Sequence, residues 1–146
     1  MLVLHDIYLA GVQAERVQAI RGSGTAAINL GFGEPILIDG NLSMLSGITV
    51  ELQREDGELI ATIESEYVAV FRREQGGAWG GDWASEVSER DLARASLGHA
   101  YSRHREQVME ITMRMGIPIF RLAPEVPELS DEDWSKSEAG ETAILA

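Results

Sequence analysis

From Ser88 to Met115 the apolar residues Leu92, Ala93, Leu97, Ala100, Tyr101, Val108, Ile111 and Met115 recur at spacings of three and four. That period predicts one amphipathic helix of roughly seven turns. Both ends carry chemical markers. Ser88 stands three residues before Asp91, the position of an N-cap. At the other end Gly116 suits a left-handed C-cap, Arg114 lies in the last turn, and Pro118 forbids continuation. The helix is therefore expected to stop at about Met115. Met109 and Met113 extend its apolar surface to a second side, wider than one sheet contact needs, which implies a second apolar partner.

Upstream the pattern belongs to strands. Leu45, Ile48, Val50 and Leu52, then Leu59, Ile60, Ile63, Tyr67, Val68, Val70 and Phe71, form runs rich in β-branched and aromatic residues. Between them Asp56-Gly57 is the pair that tight turns favour, so residues 46–54 and 58–73 should form a hairpin. Residues 25–30 and 35–38 make another strand-like stretch, with a bulge or bend at Gly31 and Gly33. Residues 3–20 are ambiguous in period; Ile7, Tyr8, Gly11 and Val12 favour extended backbone. Four strands followed by one helix predict an α+β fold, an antiparallel sheet with the helix on one face and an irregular, acidic tail. Residues 1–129 are expected to form a single domain, and residues 130–146 a flexible acidic extension.

The formal net charge is −12, and residues 125–146 hold seven acidic side chains against Lys136. Such a balance disfavours contact with nucleic-acid phosphates. The acidic end reads as a solvated tail or as an electrostatic surface for a partner. There is no cysteine, which fits a reducing compartment. The N-terminus lacks a signal-peptide pattern, and no apolar run is long enough to cross a bilayer. A cytoplasmic protein without membrane insertion is the expectation.

The order of elements, together with Leu97-Gly98, Tyr101, the long helix, Gly116, the apolar run to Phe120 and Leu122-Ala123-Pro124, resembles the SecB family of protein-export chaperones. Ile7-Tyr8, Val12 and Glu15 in the first strand and Gln75-Gly76-Gly77 after the last match as well, and the likeness spans nearly the whole chain. The resemblance implies a homotetramer, a dimer of dimers, that holds unfolded polypeptide without cofactor or catalysis. It also implies docking on the export ATPase SecA through acidic groups. Glu15 matches one of these, and Glu55, Asp56 and Glu58 fall at an acidic hairpin turn, but Gly11 replaces the other acid of the first strand. The family's helix is interrupted by prolines, whereas Tyr101 to Gln107 has none. A weakened or absent SecA contact, and a specialised role guarding a toxin–antitoxin pair or serving a mobile element, are the corresponding expectations.

Residues 117–129 contain Pro118, Pro124 and Pro127, so they must run extended over another surface. Ile117, Ile119, Phe120, Leu122, Val126 and Leu129 are expected to lie along an apolar trough with Trp79 and Trp83 of the Gly76–Trp83 loop. Met109 and Met113 would add adaptable walls for extended clients. The two tryptophans could equally plug the seam between sheet and helix. An alternative function is an oligomeric ligand-binding or enzymatic domain with a pocket under this loop. His99 and His104, five residues apart, diverge too far round the helix for a metal pair and read as surface histidines. Gly22-Ser23-Gly24 and Gly31-Phe32-Gly33 read as turns rather than phosphate loops. Glu64 and Glu66 share a strand face with no nucleophile or base near them, which suggests a solvated face.

Overall fold

The computed structural model describes residues 2–17, 24–117, 120–129 and 140–145, the last six as backbone only. The predicted α+β architecture is present: an antiparallel sheet with one long helix on one face. Five strands lead the chain, β1 (Leu2–Arg16), β2 (Gly24–Phe32), β3 (Ile36–Ile38), β4 (Asn41–Arg54) and β5 (Leu59–Arg73). Helix α1 (Glu89–Arg114) follows, and β6 (Gly140–Leu145) comes last. The strand order is β1-β5-β4-β2-β6, and β3 pairs with the start of β4.

The sheet thus has six strands where four were expected. One extra strand arises because residues 25–38 do not form a single bent strand. The chain breaks at 33–35 and returns as β3, whose connection to β4 turns at Asp39 and Gly40, φ 50° and 78°. Two consecutive positive φ angles are what a type I′ hairpin needs, and Asp-Gly meets that need. The other is β6, which pairs antiparallel with β2 from Gly24↔Leu145 to Asn29↔Gly140. The end of the acidic tail is therefore paired backbone rather than irregular; residues 130–139 lie outside the described residues. Gly31 is not in a turn either: it sits within β2, opposite Gly47 of β4. Most of the Gly22-Ser23-Gly24 stretch lies outside the described residues.

The expected hairpin joins β4 to β5. Gly57 has φ 89°, its N–H donates to Arg54 O at 2.9 Å, and Arg54 N–H donates to Glu58 O at 2.9 Å. Along β5 buried and half-exposed residues alternate, so Ile63, Ser65, Tyr67, Ala69 and Phe71 face α1 while Thr62, Glu64, Glu66 and Val68 face outward. The outward face contains a row with almost no side chains. Register places Gly31 beside Gly47, Gly47 beside Glu66, and Glu66 beside Gly11, so three of four positions across the four strands are glycine.

Helix α1 begins and ends where its markers lie. Ser88 Oγ accepts the Asp91 N–H at 3.0 Å. At the C-terminus Gly116 has φ 67°, its N–H donates to Met113 O, and the Ile117 N–H reaches back to Thr112 O at 3.3 Å. This is a Schellman closure, with Ile117 buried as the accompanying apolar contact. Arg16 Nη1 also donates to Met115 O at 2.8 Å, tying β1 to the helix end. The buried side of α1 is Leu92, Ala93, Leu97, Ala100, Tyr101, His104, Val108 and Ile111. His104 is thus not a surface histidine: it is fully buried between helix and sheet.

After Gly116 the chain turns back along the helix. Thr112 Oγ1 accepts the Phe120 N–H at 3.4 Å, Arg105 Nε donates to Leu122 O at 3.3 Å, and Tyr101 Oη donates to Ala123 O at 2.7 Å. Phe120, Leu122 and Leu129 are buried in the same core as Trp79 and Ile117. This strap covers part of the helix's second side within the chain itself, so that side does not by itself demand another subunit.

Candidate functional site

The residues expected to line an open trough mostly point inward. Trp79, Ile117, Phe120, Leu122 and Leu129 are each buried, and Trp83 is half-buried against them. The physical reason is the direction of the strap. Its alternate residues Phe120 and Leu122 turn toward α1, and its carbonyls are held by Tyr101 and Arg105. Met109 is half-buried, Met113 and Val126 are exposed, and Ile119 lies outside the described residues. Between strap and helix remains a shallow groove of about 180 Å³ bounded by Ser102, Arg105, Glu106, Met109, Arg121 and Leu122.

Trp79 is anchored from both sides. Its backbone N–H donates to Gly40 O at 2.8 Å, and the Arg73 guanidinium stacks over its ring at 5.6 Å while donating to Glu86 at 2.6 Å. Trp79 is thus held within the core shared by sheet and helix. The concavity beside it, bordered by Arg73, Glu74, Gln75 and Glu86, holds about 220 Å³. That is below the span of about 300–1,000 Å³ usual for small-molecule sites. Among the described residues no group of three or more histidine, aspartate or glutamate side chains is arranged to hold a metal.

A larger concavity, about 470 Å³, lies on the sheet face away from α1. Gly31 and Gly47 form its floor; Leu45 and Phe32 border one side, and Asn29, Thr49, Glu64 and Glu66 the other. Sequence reasoning treated Glu64 and Glu66 as solvated carboxylates and missed the concavity, because three glycines in three strands become a row only through register.

The four acidic residues considered for docking share one end of the sheet. Glu15 pairs with Thr62 on β1's edge of β5, and Glu55, Asp56 and Glu58 occupy the β4–β5 turn. All four are exposed, and Asp56 Oδ1 accepts the Glu58 N–H at 2.9 Å. A Cβ on Gly11 of β1 would lie 3.4 Å from Glu66 Oε1 of β5.

Apolar side chains remain exposed at two strand edges. Tyr8, Leu9 and Val12 on β1, and Ile36, Leu37 and Ile38 on β3, are between 38 and 56 % exposed. β1 terminates the sheet over 15 residues, so among the described residues one side of its backbone has no neighbouring strand.

No protein-family model and no curated protein sequence matches the chain. Among solved structures it is similar to a SecB-like chaperone of Mycobacterium tuberculosis in complex with a ChAD peptide from the HigA1 antitoxin. The TM-score is 0.62 at 20% identity, covering 88% of this chain and 93% of that one. The two share a fold, and the SecB-like architecture is thereby shown. Among the described residues no helix is long and apolar enough to cross a membrane.

Proposed function

We propose that this protein is a SecB-like holding chaperone that binds extended, apolar polypeptide segments, without chemistry or cofactor, in the cytoplasm. The observation that carries the reading is the shared fold with a chaperone whose structure contains an antitoxin peptide. The exposed apolar residues add to it: Met113 and Val126 flank the strap, and the β1 and β3 edges present six more. Clients in this reading lie along Trp83, Met109 and Met113. Trp79, Ile117, Phe120, Leu122 and Leu129 form the floor beneath, and Ile119 belongs to the same site.

An antitoxin-like client is favoured over export cargo. The acidic set Glu15, Glu55, Asp56 and Glu58 retains a SecA-type docking role in weakened form, because the carboxylate beside Gly11 comes from another strand. Assembly into a homotetramer proceeds through apolar surface, first through the long free edge of β1, which is a template for a second copy.

The test is light scattering of an aggregating model substrate. The wild-type chain should suppress aggregation near stoichiometric ratio. Met113→Glu with Val126→Glu, both at exposed positions, should weaken suppression several-fold at unchanged melting temperature. Full suppression by that variant would move the client surface to the strand edges, and no suppression by wild type would refute the chaperone reading.

A further inference from the structure

His104 lies in the middle of α1 with no exposed surface. Its Nδ1 is 2.8 Å from Ser65 Oγ on β5, and its Nε2 is 3.0 Å from Ser46 Oγ on β4. Tyr67 meets the imidazole edge-on, with centroids 5.0 Å apart and planes at 90°. One side chain thus ties the helix to both central strands. A neutral imidazole suits the position, since one ring nitrogen donates to a serine oxygen and the other accepts a serine hydrogen.

We propose that the Ser46–His104–Ser65 bridge is an acid-sensitive latch: protonation of His104 breaks it and releases α1 from the sheet. With both nitrogens protonated, the serine that had donated must turn its hydrogen away, and a cation is left in an apolar seam. The neighbouring elements offer it no anion. From β4 comes Ser46; from β5 come Ser65 and Tyr67, whose hydroxyl is held neutral by burial, the pull of Arg103 opposing and Glu106 and Glu110 reinforcing. β1 contributes Leu9 and Val12 opposite Tyr67 and Ser65. On α1 itself Arg103, Glu106 and Glu110 are exposed. Burial alone bears on His104, and it lowers the imidazole to about 4 from 6.5. Release of the helix would uncover Ile48, Ile63 and Ala69 beneath it.

The sign follows from the depressed value. The unfolded chain takes up the proton first, so stability is fully present above pH 6.5 and falls progressively toward pH 4, where the folded imidazole itself protonates and the latch opens. At pH 5 the folded-to-unfolded ratio should be about 30-fold lower than at pH 7.5 from this group alone. Carboxylates also titrate in this range, so the measurement compares wild type with His104→Gln, which keeps one donor and one acceptor but holds no charge. Urea unfolding at both pH values should show wild type losing about 30-fold relative to the variant, accompanied by uptake of an apolar dye. Parallel pH dependence of the two would overturn the proposal. Should the variant not fold, NMR titration of the wild-type imidazole decides: a midpoint near 4 supports the latch, and one near 6.5 sinks it.

Discussion

Gly116 carries the turn between helix and strap on one backbone angle, φ 67°. A Cβ there would meet only Arg16 Nη1, at 3.6 Å, an ordinary contact, so substitution is opposed by conformation rather than by space. Gly116→Ala should therefore cost about 1–2 kcal/mol, read as a lower urea midpoint at unchanged slope. A cost near zero would show that the Schellman turn relaxes freely. His104 teaches the complementary lesson about single residues. It falls in the series Leu97, Tyr101, His104, Val108, Ile111, the inward stripe of α1, and that spacing was the available signal of burial. Considering it only as a metal ligand hid it. Its hydroxyl partners lie 58 and 39 residues away in sequence, where no local pattern reaches.

Among elements, helix α1 and the β4–β5 hairpin were legible because their signals are local: a cap, a glycine, a proline, an Asp-Gly pair. Strand β6 was not legible. Its sequence lies in an acidic tail, and pairing with β2 is decided by a backbone edge more than 100 residues earlier in the chain. The inward side of α1 now has a stated register, and Ile111 tests it. Ile111 is buried against the core, so Ile111→Ala should destabilise by about 2–5 kcal/mol in thermal or urea unfolding. An unchanged melting temperature would mean that the helix is rotated. The candidate site was read only in part. Trp79, Ile117, Phe120, Leu122 and Leu129 share a buried core rather than an open trough, and which way the strap faces depends on hydrogen bonds from Tyr101 and Arg105 that composition does not encode.

At the scale of the whole molecule, edges and faces matter more than pockets. The 15-residue β1 has Leu9 exposed on the helix side of the sheet's last strand, and a second copy pairing there would bury it. If β1 is the assembly edge, Leu9→Lys should shift the species seen by native mass spectrometry toward the monomer while the fold survives. An unchanged oligomer would place the contact elsewhere. The row Gly31, Gly47, Glu66, Gly11 also acts at this scale. β1 shifts register between Leu9 and Gly11, in the same row where β2 and β4 have glycine. Three of the four long strands are thus softest along one line that crosses them all. Without side chains at Gly11, Gly31 and Gly47, the outer face is lowest along this line, which is where the 470 Å³ concavity has its floor.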